Sequence, residues 1–177
     1  KNLGASTCVG FDISDLAIEE AQERAARSHI DCRYVRTDIY DIGAEYHGHF
    51  DVVYVSAGAL GWMPDLPRFF AQAGAMLRDD GRVFIHEIHP ISEMLPFDDP
   101  NTPEDDLLRI IEPYFQTEPY EEYDSLDYVG GTDYTSTAAQ YWFVHTMADI
   151  IMSLVHNGFV IEHFAEYPTD ISAGHQR

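Results

Sequence analysis

Lysine is nearly missing from this sequence: Lys1 is the only one, and arginine adds nine more cations against 31 carboxylates. The formal net charge is −21 and the isoelectric point about 4.4. A surface this acidic repels phosphate backbones and anionic headgroups, which argues against nucleic-acid and membrane partners. Long apolar runs are missing too. No stretch of about 18 apolar residues occurs, the length a membrane-spanning helix requires. Cysteine is scarce, with Cys8 and Cys32 both inside apolar strand-like runs. Two such thiols read as inert core residues of a reduced, cytoplasmic protein rather than as a disulfide framework. Internal repeats and low-complexity tracts are lacking, and no basic-then-apolar signal segment opens the chain.

What remains is a chain of 177 residues with 45% apolar content. That is one domain's length, and enough apolar side chains for a packed core. Residues 1–90 alternate strand and helix patterns. Strands are expected over 6–11, 32–35, 50–55 and 82–88. Helices are expected over 15–28 and 66–77. The first helix has Ser14 as N-cap, Glu20/Arg24 and Glu23/Arg27 at i,i+4, and an apolar face of Ala17, Ile18, Ala21 and Ala25. Pro67 is tolerated in the first turn of the second helix, and Asp79-Asp80-Gly81 stops it. The rhythm predicts an α/β, Rossmann-like, mostly parallel sheet with helices on both faces.

Residues 91–144 break that rhythm. Between Glu93 and Asp133 stand thirteen acids and one base, Arg109, interleaved with tyrosines. This segment reads as an acidic, aromatic-rich cap inserted into a core of residues 1–90 and 145–177, with a hairpin near 134–144. A helix is expected over 145–157, stopped by Asn157-Gly158, and a last strand over 159–167.

In parallel α/β sheets ligands sit outside the C-terminal strand ends. Asp12 lies at one such end, opening a helix with Ile13 and Ser14. A carboxylate there can accept both hydroxyls of a ribose. Asp38 follows 26 residues later, again just past a strand and followed by Ile39. The pair can hold one nucleoside, with Ile13 against the base.

At this point the motifs resemble a family. The stretch from Gly4-Ala5 through Cys8-Val9-Gly10-Phe11-Asp12-Ile13-Ser14 to Ala17-Ile18 is similar to the second-strand motif of class I S-adenosylmethionine-dependent methyltransferases. Arg36-Thr37-Asp38-Ile39 resembles their adenine-binding segment. Phe50-Asp51-Val52-Val53-Tyr54 with Ser56-Ala57-Gly58 resembles the fourth-strand motif. Leu77 to Val83 resembles the turn into the fifth strand, and Gly158-Phe159-x-Ile161 the sixth. The resemblance implies methyl transfer by in-line displacement to a small-molecule acceptor, with S-adenosylmethionine as cofactor and S-adenosylhomocysteine as product. It implies cofactor contacts from Asp12, Ile13, Ser14, Asp38, Ile39, Ser56, Ala57, Gly58 and Trp62. The family's glycine-rich loop follows a first strand that lies mid-sheet, and nothing ahead of Lys1 supplies either. A gap between the strands ending at Asp12 and Val55 is therefore expected, so that either the natural protein extends N-terminally or this chain is compromised. The family's last strand is likewise not seen after Arg177.

A general base is needed only for an acceptor protonated at working pH. Glu87, His89 and His145 are the candidates. His86-Glu87-Ile88-His89 is one residue short of a zinc-protease motif and falls on a strand, so no metal is assigned to it. Two alternatives stay open: a nicotinamide-dependent oxidoreductase or epimerase, and a non-catalytic scaffold. The short-chain dehydrogenases share the strand-end acids, but their Tyr-x-x-x-Lys chemistry has no lysine here. Acceptor identity and oligomeric state are left open.

Overall fold

Strand pairing divides the protein into three two-stranded sheets. The computed structural model describes residues 4–96, 108–124 and 135–168. Strands β1 (Val9–Asp12) and β2 (Arg33–Arg36) run parallel, as do β3 (Phe50–Val55) and β4 (Leu77–Ile85). Strands β5 (Tyr120–Asp124) and β6 (Thr135–Trp142) pair antiparallel; the hairpin expected near 134–144 thus supplies only the second strand, and its partner comes from further upstream. Helix α1 (Asp15–Arg27) links β1 to β2, α2 (Leu66–Met76) links β3 to β4, and α3 (Met147–His156) follows the hairpin.

Each helix forms where its local chemistry closes the open backbone groups. The Ser14 hydroxyl accepts the Ala17 N–H at 3.2 Å, and Arg24 and Arg27 pair with Glu20 and Glu23 along the exposed side of α1. The Asp65 carboxylate accepts the Arg68 N–H and starts α2. Thr146 and Asp149 exchange hydrogen bonds in a capping box that starts α3.

The core lies under α2 and α3. Val55, Leu60, Leu66, Phe69 and Phe70 are buried there, with Val83, Ile85, Ile150, Leu154 and Phe159 packed around them. A second cluster of Ile42, Tyr46 and Met76 receives Val9 and Phe11 from β1, Val35 from β2, and Phe50 and Val53 from β3. Side-chain packing therefore unites the two parallel pairs. No ladder joins β1 to β3, and each has one edge without a strand partner among the described residues. The expected gap is present. Helix α1 packs on β1 and β2 through Ile18 and Ala25, whereas Val52, Tyr54 and Phe84 on the β3–β4 pair are more than half exposed.

Two expectations need correction. The turn at 79–81 does not precede β4 but lies within it. Phe50 pairs with Leu77 and Val52 with Arg82, so four residues bulge out of the ladder, with Asp80 at a left-handed φ of 63°. The expected strand over 159–167 makes no backbone ladder among the described residues. Phe159 packs edge-on against Phe70, but Val160, Ile161, Phe164 and Tyr167 are exposed, so the segment lacks the buried face that stabilises a strand. It is tied to β4 and the turn after it by side chains, through Arg82–Glu162 and His89–Glu166. No described helix is long and apolar enough to cross a membrane.

Candidate functional site

The C-terminal ends of β1 to β4 carry most of the residues singled out in the sequence. At the β1–β2 end, the Thr37 N–H donates to the Asp12 carbonyl at 2.8 Å, which holds the two strand ends side by side. The exposed Asp12 carboxylate accepts the Ser14 N–H through Oδ1 at 2.8 Å, and its Oδ2 has no partner among the described residues. Ile13 is 63% exposed beside it. The Ser14 side chain is taken up as the cap of α1. Asp38 Oδ1 accepts the Tyr40 N–H at 2.9 Å and starts the short 3-10 turn Ile39–Asp41. Ile39 itself packs against both core clusters. Ile39 is half-buried there, in the turn that Asp38 caps. Arg36 spans this end, donating to the Ile13 carbonyl and pairing with Asp15 at 2.6 Å.

At the β3–β4 end, Ser56 is exposed, Ala57 and Gly58 are half-buried, and Gly58 has a left-handed φ of 79°. The Glu87 carboxylate reaches back from beyond β4 to this loop. It accepts the Gly58 N–H and, at 3.0 Å, the Leu60 N–H, along with the N–H of Ile88 at 2.8 Å. The three candidate bases are thereby distinguished. Glu87 has both oxygens engaged. His89 accepts the Ile91 N–H on Nδ1 and meets Glu166 through Nε2 at 2.7 Å, so both ring nitrogens are engaged. His145 places Nε2 2.8 Å from the Met63 carbonyl. A carbonyl only accepts, so Nε2 carries the proton and Nδ1 of the neutral ring is left as an acceptor.

The hairpin closes over this end through contacts that pattern reading did not reveal. The Phe143 N–H donates to the Gly61 carbonyl at 2.7 Å. The Trp142 ring lies on Gly61 so closely that a Cβ there would sit 2.3 Å from it. Trp142 also meets Trp62 edge-on, with centroids 5.2 Å apart, and donates Nε1–H to Glu93 at 3.2 Å. Leu60, Gly61, Glu87, Glu93, Trp142 and His145 help line a cavity of about 30 Å³, the size of ordered water rather than substrate. The one available signal was indirect: Gly61 followed by Trp62 in a strand-end turn, which reads equally as ordinary loop flexibility. At the start of β5, Tyr120 donates to Glu112 at 3.1 Å. Burial, that hydrogen bond and the Glu112 and Glu93 charges push its phenol up to about 12. No group of three or more metal-ligating side chains is gathered among the described residues.

Known proteins resemble this chain in sequence over part of its length and in fold. Residues 1–81 match the family model described as a methyltransferase domain. The chain is similar in structure to an S-adenosylmethionine-dependent methyltransferase from Mesorhizobium loti, with a TM-score of 0.58 and 23% identity, covering 97% of this chain and 73% of that one. It is similar to a Listeria monocytogenes protein assigned to the same enzymes, with a TM-score of 0.68 and 18% identity over 99% of this chain and 78% of that one. A Clostridium acetobutylicum S-adenosylmethionine-dependent methyltransferase gives a TM-score of 0.57 at 14% identity, covering 86% of this chain and 63% of that one. No curated protein matches the sequence. Residues 1–81 thus match the methyltransferase-domain family model, and the chain shares the fold of solved S-adenosylmethionine-dependent methyltransferases.

Proposed function

We propose that this protein transfers a methyl group from S-adenosylmethionine to a small-molecule oxygen, nitrogen or carbon acceptor. One observation carries the reading: Asp12 and Asp38 stand at adjacent parallel strand ends, tied by the Thr37–Asp12 hydrogen bond, with exposed Ile13 alongside. Asp12 Oδ2 is an unengaged carboxylate oxygen suited to a ribose hydroxyl, and Asp38 suits the adenine amino group. Ile13 offers an apolar surface to the base, and Ser56 to Gly58 form the neighbouring loop. The bound cofactor supplies an electrophilic methyl on a sulfonium. The protein's part is alignment and exclusion of water, for which the hairpin over the β3–β4 end is placed.

His145 is the base we assign for an acceptor that must lose a proton. Its Nδ1 takes the proton while the Met63 carbonyl holds the tautomer through Nε2–H. Glu87 and His89 lack a comparable unengaged position. The net charge of −21 favours a neutral or cationic small molecule over nucleic acid. A reducing, cytoplasmic setting suits the thiols Cys8 and Cys32.

Calorimetric titration of S-adenosylhomocysteine, with NAD as the rival ligand, tests the reading. Micromolar affinity that Asp12→Ala weakens by roughly tenfold or more supports it, the size expected for losing a charge-assisted hydrogen bond. Binding of NAD in place of S-adenosylhomocysteine moves the assignment to nicotinamide chemistry. Silence toward both ligands leaves the fold as a scaffold.

A further inference from the structure

Glu87 lies two residues past the end of β4, half-buried at the foot of the loop that follows β3. Its partners are unusual in kind. All three are backbone N–H groups, and they come from two different strand ends: Gly58 and Leu60 after β3, Ile88 after β4. One carboxylate thus serves as the common acceptor for a loop that has little structure of its own. Within 56–60 the backbone makes a single internal hydrogen bond, from the Ala59 N–H to the Ser56 carbonyl at 3.0 Å, and Gly58 holds a left-handed φ. The same loop leads into Leu60 and Gly61, on which the hairpin rests through Phe143 and Trp142.

From this geometry we propose that Glu87 is a positioning residue, not the base. Its carboxylate is the template that winds residues 58–60, so that Ser56 to Gly58 are presented toward the cofactor and Gly61 toward the hairpin. The inference rests on the S-adenosylmethionine reading for its functional half. The chemistry requires an anion with two acceptor oxygens. Glutamine is nearly isosteric but offers one oxygen and an NH₂, which would face a backbone donor. A charge-assisted acceptor is also stronger than a neutral one. Glutamine therefore should not rescue the site, although it would rescue a role in packing alone.

The test combines amide hydrogen exchange with S-adenosylhomocysteine titration on the full chain. In Glu87→Gln, exchange at Gly58 and Leu60 should accelerate by roughly tenfold or more, the loss of a charge-assisted bond, while the Phe70 amide keeps its protection. Affinity for S-adenosylhomocysteine should fall by a similar factor. Asn157→Ala is the comparator. It removes hydrogen bonds to the Pro67 and Ser153 carbonyls at the far end of α3, so it lowers stability without touching the loop. Its loop exchange and affinity should match the parent protein. Unchanged loop exchange in Glu87→Gln overturns the proposal. So does accelerated exchange with undiminished affinity, because a loop that loosens without weakening the cofactor is not what presents Ser56 to Gly58 to it. If the parent protein ignores S-adenosylhomocysteine, the methyltransferase reading falls, and the exchange pattern alone then decides the template role.

Discussion

Gly61→Ala is the smallest change that should detach the hairpin from the core. The new methyl would lie 2.3 to 2.5 Å from three carbons of the Trp142 ring, well inside contact distance. The ring cannot give way slightly, because it also meets Trp62 edge-on and donates to Glu93. Moving it gives up the aromatic pair, about 1 kcal/mol, and a hydrogen bond to a carboxylate, about 2 kcal/mol. Together these suggest about 3 kcal/mol, or a roughly hundredfold rise in the detached population, with the usual non-additivity of neighbouring contacts. The assay is direct, because the chain has two tryptophans and both are at this contact. Tryptophan emission should shift to longer wavelength, and the Phe143 amide, bonded to the Gly61 carbonyl at 2.7 Å, should lose exchange protection. The Phe70 amide should keep its own. Parent-like emission together with a protected Phe143 amide would refute the assignment of Trp142 as the hairpin's anchor.

Phe70 is fully buried at the centre of the main cluster, so Phe70→Ala should cost about 3–5 kcal/mol, visible as a lower denaturation midpoint in urea. A loss below about 1 kcal/mol would show that the site collapses or that the core is centred elsewhere. Tyr120 supplies a pH dependence. Its phenol is raised to about 12 from 10.0, so the folded state favours the protonated form. That contribution is fully present below pH 10 and is lost as pH rises through about 12. Phenolate absorbance during alkaline titration should include a limb near pH 12, and Tyr120→Phe should reduce that limb; an unaltered curve would count against the Glu112 pairing.

Much of this protein is written locally. Ser14 before an apolar-periodic run, with Glu20/Arg24 and Glu23/Arg27 on its outer side, specifies α1 without reference to the rest of the chain. The apolar stretch 50–55 becomes β3, and Thr146 three residues before Asp149 starts α3, because caps and burial patterns act within a turn or a strand. Asp12 and Asp38 were recognisable for the same reason: strand-end acids are a feature of order along the chain. The last strand failed because apolar residues over 159–167 show that a segment could be buried, not that anything covers it. That Ile39 packs on the core was not legible, because the direction of a side chain after a strand depends on the turn that Asp38 caps.

The division falls at sequence separation. Composition, caps and periodicity determined the α/β class, the helices and the strand-end acids, since each needs only neighbours a few residues away. The tertiary structure alone decided that Glu87 gives its carboxylate to N–H groups 27 and 29 residues distant, that His145 fixes its tautomer on Met63, and that Trp142 comes to rest on Gly61. Such pairings depend on which backbone donors and acceptors the packed core leaves open, and no local pattern encodes that.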